Sequence, residues 1–262
     1  MGRIVMAYRL PKELLVEEDG PVRIVKLNNP DMLNAFTDDL HEGLVDIWKQ
    51  LDRDQGCKAV VLTGVGRAFS AGGNIPGFIK SYEDPEHRRM GLRMARDLVD
   101  EMLNFRKPVV AAVNGPAVGL GASVAVLCDI VFVSESAFMA DPHVAIGLVA
   151  GDGGAMSWPF MMSILKAKEF LFTGDRISPE DCVKLGIANH TSAPDKVLDD
   201  ALAFAHRLAG LPHQSLQETK RAINIHLQRA ADAILPFALT AEGDSFTTDD
   251  IRKTIEKFTA KK

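Results

Sequence analysis

The chain has 262 residues, of which 47% are hydrophobic and 25% charged, and its formal net charge is −5 at pH 7. This composition can bury a large core, as one domain or as a domain with an appendage. The lysines and arginines form no basic stripe, which argues against a nucleic-acid partner because neutralising phosphates needs concentrated positive charge.

Two further features bear on the cellular setting. The three cysteines, Cys57, Cys128 and Cys182, lie far apart, a spacing that fits neither a disulfide framework nor a metal site and is typical of a reducing compartment. The uncharged stretch 108–128 has about the length of a membrane span, but Asn114-Gly115-Pro116 interrupts it. We therefore predict a buried strand, a turn and a buried helix there, in a soluble cytoplasmic protein without a membrane partner.

The first half of the chain alternates between strand and helix patterns. Residues 22–27 alternate apolar and polar side chains, which predicts a half-buried strand, and Thr37 is a candidate N-cap for a helix. Further elements are predicted as strands at 59–63, 108–113 and 130–133 and as a helix within 83–105. This order predicts an α/β core with crossover connections.

The last quarter has a different character. After residue 200 the strand patterns vanish, and helices are predicted at 201–209, 215–228, 230–246 and 249–261. We therefore divide the chain into an α/β core, 1–200, and a helical region, 201–262. So many helices could not all pack on one small core, and we expect the helical region to pack on a neighbouring subunit.

Two glycine-rich segments could carry chemistry. Residues 68–74 follow an apolar strand, and residues 119–126 leave a turn as an apolar helix. Small residues allow a ligand close to the backbone, and a helix N-terminus presents free N–H groups. Two such donors from separate loops would form an oxyanion hole. The alternative is that both segments are tight structural turns.

The run Asn114-Gly115-Pro116-Ala117-Val118-Gly119-Leu120-Gly121-Ala122-Ser123, with residues 67–74 upstream, resembles the crotonase (enoyl-CoA hydratase/isomerase) superfamily. The resemblance covers essentially the whole chain. It implies an α/β spiral of ββα units with a C-terminal helical region, assembled as a homotrimer or homohexamer. It also implies an acyl-CoA substrate, with coenzyme A as part of the substrate, no separate cofactor and no metal.

The same resemblance assigns residues. The positions that match the family's two oxyanion donors are the amides of Ala71 and Leu120. Residues of the early strand-to-helix segment and of both glycine-rich segments are expected to bind substrate: Met32, Leu33, Ala35, Gly72, Gly73, Asn74, Gly119, Gly121 and Ser123.

The chain departs from the family at its catalytic glutamates. A hydratase of this family uses two glutamates, whereas Ser123 and His143 stand at the matching positions here. An imidazole can serve as acid or base near neutral pH, and Asp152 could orient it through one ring nitrogen. Alternatively, Asp152 is an N-cap and His143 a buried histidine bonded to a carbonyl. The other histidines, His41 among them, are expected on surfaces or helix faces.

A His–Asp pair at this spacing resembles β-diketone hydrolases of the oxo-camphor hydrolase type. The carboxylate that assists those enzymes would correspond to Glu242, which could equally be a solvated charge on a helix face. Three functions follow: an acyl-CoA enzyme with a His–Asp acid/base, a hydrolase that cleaves the carbon–carbon bond of a β-dicarbonyl compound, or a non-catalytic acyl-CoA-binding protein.

Overall fold

The computed structural model describes residues 8–260. The strands in this range are β1 (Leu14–Asp19), β2 (Val22–Leu27), β3 (Ala59–Gly64), β4 (Val109–Val113), β5 (Ala117–Val118), β6 (Ile130–Ser134), β7 (Met139–Ala140) and β8 (His190–Ser192). Six of them form one sheet in the order β1-β2-β3-β4-β6-β8, and β5 pairs with β7. Strand β1 is antiparallel to β2, and the other pairs are parallel.

The helices in the same range alternate with these strands. They are α1 (Asp38–Arg53), α2 (Phe78–Glu83), α3 (Pro85–Asn104), α4 (Leu120–Val126), α5 (Gly154–Met161), α6 (Ile164–Thr173), α7 (Pro179–Leu185), α8 (Val197–Ala209), α9 (His213–Ser245) and α10 (Asp249–Thr259). The Thr37 side chain accepts a hydrogen bond from the Leu40 N–H at 3.2 Å, which confirms the predicted cap of α1. The predicted α/β fold with a helical C-terminal region is confirmed.

The central strands are buried on both faces, as parallel strands covered by helices are. Residues 59–62 of β3 are fully buried. Strand β2 was expected to be half-buried, but α8 packs over it, and Arg23 on that strand is only 3% exposed. The Arg23 guanidinium is compensated by Asp54, its Nε lying 2.8 Å from the carboxylate.

The C-terminal helices close the core of their own chain. Helix α8 packs on β2, β3 and β4, and α9 packs on α3 and α5. The boundary expected after residue 200 falls inside α8. The two helices predicted at 215–228 and 230–246 are one continuous helix, α9, of 33 residues. No glycine or proline stands near residue 229 to end it.

Helix α9 is anchored near its start. The Lys220 ammonium group donates to the Asp129 carboxylate at 2.7 Å and to the Lys107 carbonyl at 2.9 Å. Asn224 donates to the Leu103 carbonyl at 2.9 Å. These bonds hold α9 against the end of α3 and the loops that precede β4 and β6. As far as the structure describes the chain, no helix has the length and apolarity to cross a membrane.

Candidate active site

A cavity of about 340 Å³ lies between α1, α3, the start of α4 and the end of α9. Its apolar wall is formed by Phe36, Phe78, Leu92, Met94, Ala95, Leu120 and Phe246. Four titratable side chains on its wall are buried, namely His41, His143, Asp152 and Glu242. The cavity is therefore an apolar pocket with a few polar groups, the usual form of a small-molecule site.

One free backbone amide comes from the start of α4. Gly119 has a φ of 53°, which favours glycine, and its N–H donates to the Ala140 carbonyl at 2.9 Å. The next residue, Leu120, begins α4, and its N–H has no acceptor within residues 8–260. A Cβ on Gly121 would lie 2.7 Å from the Ser70 Cβ, so this glycine lets α4 approach the 70–73 segment. The predicted role of Leu120 as a donor agrees with this geometry.

The second predicted donor needs correction. The Ala71 N–H donates to the Leu33 carbonyl at 2.9 Å and is not available to a substrate. The Gly73 residue lines the cavity, and its N–H finds no acceptor in the part of the chain that the structure describes. Pairing of the 70–73 segment with residues 33–36 engages the Ala71 amide and leaves that of Gly73 free. Gly73 had been predicted to bind substrate, but not as the oxyanion donor.

His143 packs against Gly119, the residue before Leu120. Its Cε1 is 3.3 Å from the position that a Cβ on Gly119 would occupy. Its Nδ1 is hydrogen-bonded to the Asp141 carboxylate, and its Nε2 lies 3.3 Å from Asp152 Oδ2. The orienting carboxylate on Nδ1 is thus Asp141, which the prediction missed. The motif Asp141-Pro142-His143 carried the signal, since an aspartate two residues before a histidine can reach its ring.

Asp152 lies beside the other ring nitrogen of His143, Nε2. It does not cap α5, whose N-cap is Gly153 without a side-chain hydrogen bond. The Ser123 hydroxyl donates to Asp152 Oδ1 at 3.3 Å. Ser123 therefore supports the carboxylate that takes part in the cluster, although a serine has little basicity of its own.

Glu242 completes the cluster from α9. It is 7% exposed, so the alternative of a solvated surface charge is wrong. Its carboxylate, the Asp152 carboxylate and a His143 ring nitrogen all lie within 4.8 Å of one another. The side chain fits against Gly151, where a Cβ would lie 2.6 Å from Glu242 Oε2.

The protonation states follow from burial and charge. Burial raises the pKa of Glu242 to about 8, with the negative charge of Asp152 adding to the shift. For His143, burial opposes the charged form, but the carboxylates of Asp141 and Asp152 outweigh it and raise the pKa well above 6.5. At neutral pH the cluster therefore contains an imidazolium between two aspartates and a protonated glutamic acid.

The other residues predicted to bind substrate lie partly in the cavity wall and partly outside it. Asn74 lines the cavity together with Gly73, whereas Met32, Leu33 and Ala35 lie outside its wall. Gly72 has a φ of 79° and passes the Val118 carbonyl closely. His41 was expected on a surface or helix face but is buried in the cavity wall. The sequence around His41 did not indicate that it is buried, because its burial depends on how α1 packs against α3.

The comparisons with known proteins agree with this architecture. The family model for enoyl-CoA hydratase/isomerase matches residues 17–262. A short-chain-enoyl-CoA hydratase of Clostridium acetobutylicum is 29% identical over 250 residues, covering 95% of each chain. A crotonyl-CoA hydratase of Syntrophomonas wolfei is 27% identical, covering 98% of this chain and 97% of its own.

A solved structure is more similar still. The crystal structure of an enoyl-CoA hydratase/isomerase from Mycobacterium paratuberculosis superimposes with a TM-score of 0.92 at 48% identity, covering 95% of this chain and 100% of that one. The match of the family model to nearly the whole sequence and the shared fold lead to one conclusion: the chain belongs to the enoyl-CoA hydratase/isomerase family of the crotonase superfamily.

Proposed function

We propose that the chain transforms an acyl-CoA thioester through an enolate whose oxygen is held by the Gly73 and Leu120 amides. The observation that carries the proposal is the convergence, in one cavity, of two free amides with His143, Asp152 and Glu242. Preorganised N–H donors stabilise negative charge as it develops on the thioester oxygen, and each is worth about 3–4 kcal/mol of barrier. Family membership supports the substrate class.

Proton transfer is assigned to the His143–Asp152 pair and Glu242. Because both nitrogens of His143 face carboxylates, the ring acts as an imidazolium that stabilises the enolate and the Asp152 carboxylate. The Asp152 carboxylate then removes a proton from the substrate carbon or from water, and the protonated Glu242 delivers one. This acid/base set replaces the hydratase glutamate pair and suits a double-bond shift or the addition of water.

The cluster is assigned to proton transfer although its three side chains have a spacing that could hold a metal ion. Enoyl-CoA hydratases act on the CoA-bound substrate without a metal or other cofactor. One nitrogen or oxygen atom of each of His143, Asp152 and Glu242 lies within 4.8 Å of the other two, so the three groups surround one reaction site in the proposal. No metal is therefore required by the proposal.

A second candidate, hydrolysis of a β-dicarbonyl carbon–carbon bond, is favoured by one observation. Glu242 joins the His–Asp pair, as in the hydrolases that this pair resembles. The third candidate, a non-catalytic binding protein, rested on Ser123, which instead supports Asp152.

The deciding experiment measures binding by calorimetry. Acetoacetyl-CoA is compared with a cyclic 1,3-diketone that lacks coenzyme A, and turnover of crotonyl-CoA and 3-enoyl-CoA is then measured in the wild type and Asp152→Asn. Binding of the thioester alone, with turnover at least a hundredfold lower in Asp152→Asn, is expected. Binding of the diketone alone would favour the hydrolase. Unchanged turnover in Asp152→Asn would refute the acid/base assignment, and Asp175→Asn at the surface is the matched control.

We also infer self-association. The exposed apolar side chains Phe160, Ile164, Leu165 and Phe172 lie along α5 and α6, with exposed fractions of 53%, 61%, 79% and 64%. Large exposed apolar residues on two helices in contact are typical of a protein interface. A homotrimer or homohexamer is expected in sedimentation equilibrium, and Leu165→Glu is expected to weaken it. A monomer at micromolar concentration would contradict this inference.

We further infer a reducing, cytoplasmic compartment for the protein. Cys57, Cys128 and Cys182 are buried and unpaired, and burial raises the pKa of Cys57 to about 11. Such thiols are poorly reactive. Fractionation of the native cells tests the location.

A further inference from the structure

Two cationic side chains line the cavity where α2 and α3 form its wall. Arg88 of α3 is half-buried, and Lys80 of α2 is exposed. Within residues 8–260, neither has a carboxylate at ion-pair distance. The Asp38 carboxylate on the same wall is hydrogen-bonded to His87 Nε2 at 3.1 Å. A half-buried charge without a counter-charge is unfavourable, so this wall favours an anionic group of a ligand.

The Arg88 guanidinium has one edge free for such a group. Its Nη1 donates to the Ser81 carbonyl at 2.7 Å and to the Tyr82 carbonyl at 3.5 Å, which holds the side chain against α2. Its Nε and Nη2 donate to no atom of the residues that the structure describes. These two nitrogens lie on one edge of the planar group, where a carboxylate can accept two parallel hydrogen bonds. The free edge of Arg88 therefore matches a carboxylate.

Helix α3 places Arg88 beyond the catalytic cluster. Val99 lies 4.0 Å from the position of a Cβ on Gly153, which follows the cluster's aspartate in the chain. Leu92 lies 2.7 Å from the position of a Cβ on Gly243, which follows the cluster's glutamic acid. Arg88 precedes Leu92 by one helical turn, about 6 Å along the axis. A group bound to Arg88 is therefore several atoms away from the reacting carbon.

The cavity has the size of the acyl part of a thioester. Its volume of about 340 Å³ is near the lower end of the range for small-molecule sites, and its wall is largely apolar. Residues 32, 33 and 35, which were predicted to bind substrate, lie outside that wall. An anion that reaches Arg88 inside the cavity is therefore assigned to the acyl chain and not to the coenzyme.

We propose that the acyl chain of the natural substrate ends in a carboxylate, which Arg88 binds through Nε and Nη2. This inference rests on the proposed function and narrows its substrate class to thioesters of dicarboxylic acids. Arg88 is then a specificity-determining residue, because it recognises the chain and takes no part in proton transfer. Lys80 adds positive charge to the same wall.

Calorimetric binding of matched thioesters tests the proposal. Glutaryl-CoA, adipoyl-CoA and pimeloyl-CoA are each compared with their monomethyl ester, which keeps the chain and its oxygen atoms but loses the charge. At least one of the three acids is expected to bind the wild type about tenfold tighter than its ester, and less so at high salt, which screens a half-buried ion pair. In Arg88→Gln this preference is expected to fall below threefold, while the esters bind as before.

The matched control is the next residue in the chain. Arg89 is exposed, lies outside the cavity wall and pairs with Glu86, so Arg89→Gln removes the same charge and is expected to keep the preference. Circular dichroism confirms that each variant is folded. Arg88→Lys, which keeps the charge but loses the two-bond edge, is expected to keep only part of the preference and serves if Arg88→Gln does not fold.

The possible failures are distinguishable. Equal binding of acid and ester by the wild type at all three lengths, or a preference that survives in Arg88→Gln, would overturn the proposal. Equal weakening of acids and esters in Arg88→Gln would also overturn it, because Arg88 would then contact a phosphate of coenzyme A. Failure of every CoA thioester to bind, acetoacetyl-CoA included, would instead refute the proposed function.

Discussion

The raised pKa of Glu242 predicts that the stability of the protein depends on pH. Its pKa is raised from 4.5 to about 8, mainly by burial. Between these values the folded state holds the proton more tightly than the unfolded chain does, so the free energy of unfolding falls as the pH rises. Each pKa unit corresponds to about 1.4 kcal/mol. From pH 5 to pH 8 this one side chain should therefore lower the stability by up to about 4 kcal/mol.

The variant Glu242→Gln removes this dependence, since an amide does not titrate in this range. Urea denaturation followed by circular dichroism, at pH 5, 6, 7 and 8 and at one protein concentration, gives the free energy of unfolding of both proteins. The difference between variant and wild type is expected to shift in favour of the variant by about 3–4 kcal/mol between pH 5 and pH 8. Any constant cost of the new amide group cancels in this comparison.

A matched control lies on the same helix. Glu218 is ion-paired with Arg221 at 2.7 Å on the surface of α9, and Glu218→Gln is expected to change the stability equally at all four pH values. The reasoning is refuted if the effect of Glu242→Gln differs by less than about 0.5 kcal/mol between pH 5 and pH 8. That result would mean that water or the unfolded chain compensates the carboxyl group fully.

Three further predictions concern the scaffold of the site. Thr37→Ala removes the N-cap of α1 and should cost about 1 kcal/mol in urea denaturation; no loss would show that the cap is redundant. Gly121→Ala places a methyl group 2.7 Å from the Ser70 Cβ, displaces the start of α4, and should lower kcat at least tenfold with a smaller change in KM. Asp141→Asn removes a charge that raises the pKa of His143, so the alkaline limb of kcat/KM should move to lower pH; an unmoved limb would contradict the assigned role.

The local patterns of the sequence predicted much of the fold. Strands β2, β3, β4 and β6 and the cap of α1 follow from apolar periodicity and Thr37. Strand β1 was not predicted because its sequence, three apolar residues followed by three acidic ones, does not alternate. Strands β5, β7 and β8 were not predicted because two or three residues give no pattern. The continuity of α9 and the burial of Arg23 depend on packing between distant segments, which periodicity does not report.

The sequence also indicated only part of the candidate site. The glycine-rich and charged motifs indicated Leu120, His143 and Asp152, and the structure brings these three residues to the wall of one cavity. Ala71 was expected to be the donor, but the Leu33 carbonyl accepts a hydrogen bond from its amide, so Gly73 is proposed instead. The burial of Glu242 and His41 depends on how α9 and α1 pack against α3. These properties arise from the packing of segments that are distant in the sequence, so no local sequence pattern indicates them.

The anchored helix α9 restricts how this protein can change during evolution. Lys220 fixes the helix at one end, and Glu242 stands 22 residues later, about 33 Å along the axis. Insertion or deletion of one residue between them would rotate Glu242 by about 100° out of the cavity. Relatives that use this acid should therefore keep the segment between the two residues at constant length, even where its surface side chains vary freely.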